Sequence, residues 1–146
     1  MNDKKIVQKI ILGGIVIKND KALIIQRSAD EEAYPNLWEI PSGKRESFEK
    51  SEDAVAREVK EETGLDVEVV MPINVFEFKV EKPDEIRDAT QINFLVKQIG
   101  ESEVKISSEH QNFAWISKDE VNSHFSISDE VKKAILKAFE IVDKNK

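Results

Sequence analysis

Between Gly43 and Gly64 the chain places Glu58, Glu61 and Glu62 three and four residues apart, on a stretch that reads as one short helix over 51–63. In an α-helix that spacing puts the three carboxylates on one side. Like charges so placed oppose helix formation by roughly 0.2–0.5 kcal/mol per pair. Glu61 and Glu62 also fall in the last turn, where the helix dipole favours cations over anions. Local energetics therefore count against the arrangement twice. A hard divalent cation reverses both effects, because carboxylate oxygens are the ligands that Mg²⁺ prefers. The helix itself is well delimited. Ser51 is the expected cap, Glu52 and Asp53 suit the positive end, and Gly64 suits the C′ position. Val55 and Val59, one turn apart, supply a stripe that faces the core beside the acidic side.

The rest of the chain mixes strands and helices. Ile6 to Ile17 is rich in β-branched residues and reads as one strand bent at Gly13-Gly14. The apolar run is too short and too interrupted, by Gln8 and Lys9, to read as a signal peptide or membrane span. Asn19-Asp20 marks a turn into a second strand, Ala22 to Gln26, which makes a hairpin. Arg27 to Asn36 is a polar loop, and Leu37 to Pro41 a short extended piece. Val67 to Val80 and Ala89 to Ile99 read as long strands separated by a loop over Pro83 to Asp88. A polar loop, Gly100 to Asn112, holds Glu109 and His110 and leads into a short strand, Phe113 to Ile116. Ser117 with Glu120 forms a capping box for a brief helix. A final helix, Ser128 to Asp143, carries Val131, Ile135, Ala138, Phe139 and Val142 at helical spacing. With 146 residues and no repeat or linker, the expectation is a single domain over 1–146, α/β or α+β, around a mixed sheet.

Composition narrows the function classes. There are no cysteines, so disulfides, thiolate metal sites and cysteine nucleophiles are absent, and the cytoplasm is the expected location. A net charge of −7 with no basic stripe argues against binding a nucleic acid polymer, though not against a small phosphorylated ligand. His110 and His124 lack a Cys or His cluster and read as surface histidines.

Taken with its spacing, the acidic segment is Gly43, five residues, Glu49, seven residues, then Arg57-Glu58-Val59-Lys60-Glu61-Glu62-Thr63-Gly64-Leu65. Every fixed position resembles the Nudix box, with aliphatic Val59 and Leu65 where that pattern requires them. A hairpin before the box, Trp38-Glu39-Ile40-Pro41 leading into it, and an acid-bearing loop before Trp115 extend the resemblance over roughly residues 6–142. The resemblance implies a Nudix fold, a mixed sheet sandwiched between helices. It implies Mg²⁺- or Mn²⁺-dependent hydrolysis of a nucleoside diphosphate linked to another group. Carried over residue by residue, Glu58 and Glu62 resemble principal metal ligands and Glu61 a further one, with the carbonyls near Ser42 and Gly43 contributing. Arg57 resembles the arginine that orients the catalytic glutamate, and Glu49 is its expected partner. Glu109 resembles the additional loop acid that binds metal or acts as general base, with Glu58 as the alternative base. Trp38, Ile40 and Lys44, in and after the lead-in, are candidate substrate contacts. Asp129, at the start of the last helix, is a candidate for hydrogen bonding to the base.

The chain departs from the common pattern at Ser42 and Phe48, where many relatives carry glycine. Phe48 is expected to pack on substrate or cover the core. The lead-in followed by Gly43-Lys44 is similar to that of members acting on nucleoside triphosphates, which makes a (d)NTP or an oxidised (d)NTP the expected substrate. A nucleotide-sugar (ADP-ribose-like) or dinucleoside-polyphosphate hydrolase is the competitor within the enzyme class. A non-catalytic nucleotide-sensing module is the competitor outside it. The expected partner is a small nucleotide, with neither membrane nor nucleic acid polymer, and the protein is a monomer or homodimer.

Overall fold

The computed structural model describes residues 3–124 and 126–146. Its central strand is β1 (Lys5–Lys18), followed by β2 (Lys21–Arg27), β3 (Trp38–Glu39) and β4 (Ser42–Lys44). Then come helix α1 (Ser51–Thr63), the long strands β5 (Val67–Glu81) and β6 (Glu85–Gln98), β7 (His110–Ile116), the short α2 (Lys118–Ser123) and α3 (Asp129–Lys144). The strands join in one seven-stranded mixed sheet of order β3-β2-β1-β6-β5, with β4 pairing β1 and β7 pairing β2. β1 runs parallel to β6 from Lys5 to Val16, while the β1–β2 and β5–β6 pairs are antiparallel.

A strand buried on both faces needs apolar side chains at successive positions. Leu12, Ile15 and Val16 meet that need, each fully buried. On one face Leu12, Val16, Leu23, Phe94 and Val96 pack with Val55, Val59 and Leu65 around α1. On the other, Ile15, Ile24, Leu95 and Ile116 pack with Val131, Ile135 and Phe139 of α3. Helices thus cover both faces of the sheet, the layering that places α1 against the centre of β1.

The glycine pair in β1 answers a packing need on both faces, and the strand continues unbroken through it. A Cβ on Gly14 would come within 2.6 Å of Val59 Cγ2, and one on Gly13 within 2.3 Å of Asn93 Oδ1. The hairpin turn uses Asn19 and Asp20 in left-handed conformations, φ 51° and 62°, as a two-residue turn of the favoured twist requires.

Several boundaries differ from the sequence expectations. The N-cap of α1 is Lys50, which makes no side-chain capping bond, and Ser51 is already helical. β6 begins at Glu85 rather than Ala89, because Glu85–Asp88 pair at once with β1 and β5 and only Lys82 to Asp84 are left to turn. β7 begins at His110 rather than Phe113, its early residues pairing with Arg27 and Gln26 of β2. His110 is buried, not on the surface. Phe48 neither covers the core nor packs in a cavity: it is fully exposed, with φ 65°. The capping box of Ser117 and Glu120 and the αL glycine after α1, Gly64 at φ 77°, are as expected. Among the described residues, no helix is long and apolar enough to cross a membrane.

Candidate active site

Helix α1 presents its carboxylates to β4 and the loop that follows. Arg57 organises them. Its Nε donates to Glu49 Oε2 at 2.8 Å and its Nη2 to Glu49 Oε1 at 2.9 Å, a two-pronged clasp from helix to loop. The remaining nitrogen, Nη1, donates to Glu58 Oε1 at 2.7 Å and lies 3.4 Å from Glu61. Nη2 also reaches the Lys44 carbonyl at 3.1 Å. One guanidinium therefore ties the box loop, the helix and β4 together. The clasp holds the Glu49 carboxyl down at about 2, chiefly through the Arg57 hydrogen bond, with the Glu46 N–H contributing a second.

Glu58 and Glu62 are held in different ways. Glu58 packs over Gly43: a Cβ there would sit 2.1 Å from the carboxyl carbon, so glycine is required for the approach of strand and helix. Burial raises the proton affinity of Glu58, and the Arg57 contact opposes that rise. Glu62 is buried, and its Oε1 accepts a hydrogen bond from the Ser42 N–H at 2.8 Å. Burial pushes its carboxyl up to about 9, against the Ser42 bond and with help from the charges of Glu39, Glu58 and Glu109. Glu61 remains more than half exposed.

Glu109 is brought to this end of the helix by backbone contacts. The N–H groups of Lys105 and Ser107 donate to the Thr63 and Glu62 carbonyls at 2.7 and 3.2 Å, satisfying acceptors that a helix end leaves open. The Ser28 N–H then holds the Glu109 carbonyl at 3.0 Å. Next to it, His110 Nε2 lies 3.0 Å from Glu39 Oε2, and Arg27 Nη1 approaches the same oxygen at 3.5 Å. Glu39 and His110 were not singled out as site residues from sequence. Only the fold shows that β3 and β7, both paired with β2, set them side by side.

Beside the carboxylates, a cavity of about 270 Å³ opens on the α3 face of the sheet. Ile40, Ser42, Phe76, Phe78 and Gln91 line its floor, with Tyr34 and Leu37 on one side and Ser128, Glu130 and Val131 of the α3 start on the other. Ile40 is therefore in the cavity wall. Trp38 is part-buried, packed against the apolar cluster under α3 and edge-on to His124. Asp129 is exposed on the first turn of α3, while its neighbours Ser128 and Glu130 reach the cavity. Lys44 lies elsewhere, among basic side chains described below. Gln91 Nε2 donates to Asn93 Oδ1 at 2.8 Å in a buried polar pair; β6 is polar at many other positions, so the sequence carried no signal for it. A larger open depression of about 690 Å³, lined by Lys18, Glu101, Phe113 and Trp115 among others, includes none of the candidate residues.

Among the described residues, no group of three or more His, Cys, Asp or Glu side chains is gathered closely enough to hold a cation as it stands. The donor set nevertheless fits a hard divalent ion. Glu58, Glu61 and Glu62 supply oxygen only, they leave a helix on one side, and Glu62 is a buried carboxyl that needs a positive partner to stay ionised.

A sheet between helices, with a carboxylate-bearing helix clasped to the loop before it, defines a class of hydrolase. The NUDIX domain family matches residues 11–139, and the chain belongs to the Nudix family of hydrolases. A MutT-like protein of Streptomyces ambofaciens is 32% identical over 120 residues, which span 82% of this chain and 71% of that protein. The nucleoside triphosphatase NudI of Escherichia coli is 27% identical over 132 residues, 82% of this chain and 89% of NudI. The fold is shared with the crystal structure of an ADP-ribose pyrophosphatase from Streptococcus suis, with a TM-score of 0.66 and 22% identity over 92% of this chain and 91% of that one. Members of the family act on small nucleotides and generally use divalent metal ions.

Proposed function

We propose that this protein is a Mg²⁺-dependent pyrophosphohydrolase, also served by Mn²⁺, whose substrates are (d)NTPs, including oxidised ones. The observation that carries the reading is the juxtaposition of Glu58 and Glu62 with Ser42 and Gly43 at the edge of the sheet-face cavity. That layout suits a nucleotide whose base enters the cavity while its phosphates lie over β4. Glu58, Glu61 and Glu62, with the carbonyls near Ser42 and Gly43, would hold the metal. A bound divalent ion neutralises phosphate charge and lowers the pKa of water.

The chain's own groups account for the rest. Arg57 fixes Glu58 at 2.7 Å and is itself fixed by Glu49, so the carboxylate is oriented before substrate arrives. Water oxygen attacks phosphorus, the P–O–P bond breaks, and its electrons leave with the departing phosphate group. The proton lost by water goes to a carboxylate, Glu58 or Glu109, which Glu58→Gln and Glu109→Gln tell apart: the larger loss of turnover identifies the base. NudI is named a nucleoside triphosphatase, which supports a triphosphate substrate.

The test is a panel of nucleoside triphosphates, ADP-ribose and dinucleoside polyphosphates with Mg²⁺ or Mn²⁺, with the products identified. Nucleoside monophosphate and pyrophosphate from a triphosphate are the expected products. Higher kcat/KM for ADP-ribose, or saturable binding with no product, would overturn the reading in favour of a nucleotide-sugar hydrolase or a sensing module.

A further inference from the structure

Lys44 belongs to a basic strip that the site described above does not use. Strand registers fix its position. Lys44 pairs with Ile11, two residues along β1 from Lys9; Lys9 pairs with Ala89, two residues along β6 from Arg87; and Arg87 pairs with Val80, two residues before Lys82. Alternation along each strand puts these side chains on one face. It is the face of the cavity, since Ile11 pairs with Gln91 and Phe76 pairs with Gln91. Glu85 is engaged by Arg87 at 2.8 Å. Among the described residues, Lys9, Lys44 and Lys82 make no salt bridge.

Four cations sharing one carboxylate stand out on a chain of net charge −7. Toward the other end of this face the cavity is lined by Ile40, Phe76, Phe78 and Gln91, with Glu130 of α3 above them. This face of the sheet is therefore largely apolar at the cavity and basic beyond β4. Along β6, Arg87 is four residues from Gln91, or roughly 13 Å at ~3.3 Å per residue. Between the two ends lie Ser42 and Gly43, against which Glu62 and Glu58 are packed. A ligand with a neutral ring at one end and accumulated negative charge at the other matches this polarity.

Resting on the proposed hydrolase reading, we propose that Lys9, Lys44, Lys82 and Arg87 form a subsite for the terminal phosphates of the substrate. The preferred substrates are then nucleotides whose leaving group is itself a phosphate chain, and a leaving group capped by a neutral sugar is disfavoured. The strip binds and orients, and the hydrolytic step is unchanged: the terminal phosphates depart with the electrons of the broken P–O bond, and the strip holds their charge.

The experiment compares wild type with Lys9→Gln/Arg87→Gln, measuring kcat/KM for a nucleoside triphosphate and for ADP-ribose, with the ratio as readout. The ratio falls about tenfold in the variant, the size of a lost charge-assisted contact. The charge-conserving Lys9→Arg/Arg87→Lys keeps it, and Lys82→Gln, in the turn after β5, lowers it less and guards against misfolding of the double variant. A parallel titration with inorganic tripolyphosphate in EDTA shows binding that weakens with salt and drops about tenfold in the double variant. An unchanged ratio with unchanged tripolyphosphate binding overturns the subsite even when the enzyme cleaves triphosphates. A wild type that cleaves neither substrate but binds tripolyphosphate through the strip overturns the hydrolase reading and leaves the subsite standing.

Discussion

Gly43 turns toward α1 and lies under the Glu58 carboxylate, whereas its neighbour Ser42 lines the cavity on the other face of the sheet. The three-residue strand β4 thus separates two regions of different construction. On the α1 side, charged groups are tied together by a single guanidinium, and the buried Glu62 carboxyl is pushed up to about 9. On the cavity side, Ile40, Phe76, Phe78 and Gln91 form a wall of apolar side chains and one buried amide. The difference separates roles. On the proposed reading, the α1 side binds charge and does chemistry, and the cavity side accepts a ring. Changes on the first should act on turnover and on its pH dependence, and changes on the second should act on binding.

The largest effect separating the two regions is expected from Glu62→Gln. It removes a proposed metal ligand, and turnover at saturating Mg²⁺ should fall by more than about 100-fold. The same change should stabilise the metal-free protein at pH 8 by roughly 2 kcal/mol, because a neutral amide replaces a buried acid. The sign follows from the raised carboxyl. With its folded value at about 9 and an ordinary value of ~4.3, the native state binds the extra proton between those limits. The contribution of Glu62 to stability is thus complete below the ordinary carboxylate range and lost as pH rises through about 9. Thermal melts of the metal-free protein from pH 5 to 9 should show this loss for wild type and not for Glu62→Gln. Added Mg²⁺ should raise the melting temperature of wild type more at pH 8.5 than at pH 6. A pH-independent effect of Mg²⁺ would remove Glu62 from the metal site.

Gly43→Ala is expected to come next. The new Cβ would meet the Glu58 carboxylate, whose far end can swing away, so the fold should persist while the reacting geometry is lost. A reduction in kcat of about 100-fold, with a near-normal melting temperature, is expected. Wild-type kcat in this variant would mean that the contact between β4 and Glu58 has no part in the reaction.

Phe78→Ala probes the cavity side and should be the smallest change. KM for a nucleoside triphosphate should rise about tenfold with kcat within a factor of about 3, as expected when apolar contact area is removed from a ligand wall. A loss of kcat at unchanged KM would erase the division between the two regions.

The same division explains what could be read from sequence. The α1 region is local: Glu49, Arg57, Glu58, Glu61 and Glu62 fall within one loop and one helix, where spacing put Glu58, Glu61 and Glu62 on one side and the resemblance to the Nudix box supplied Glu49 and Arg57. Val55, Val59 and Gly64 followed from helical period and left-handed conformation. The cavity draws on Tyr34, Ile40, Phe76, Gln91 and Ser128, which are far apart in the chain and meet only through the β1–β6 and β5–β6 registers. No spacing rule joins them, and Asp129 was chosen where Ser128 and Glu130 reach the wall. His110 misled for a related reason. A polar residue after a polar loop looks exposed, but β2 recruits it into β7 and Glu39 of β3 supplies its partner. Ser51 misled because Lys50 takes the cap position without any side-chain bond, while the Arg57 clasp on Glu49 anchors the preceding loop.

On the proposed hydrolase reading, Glu58, set by Arg57 over Gly43, takes part in breaking a nucleotide pyrophosphate bond. That role is tested most directly by following a nucleoside triphosphate with Mg²⁺ by phosphorus NMR, for wild type and for Glu58→Gln. Wild type should give nucleoside monophosphate and pyrophosphate, and the variant, which should fold and melt normally, a rate lower by about 10²–10⁴-fold. Equal rates for the two proteins would contradict it.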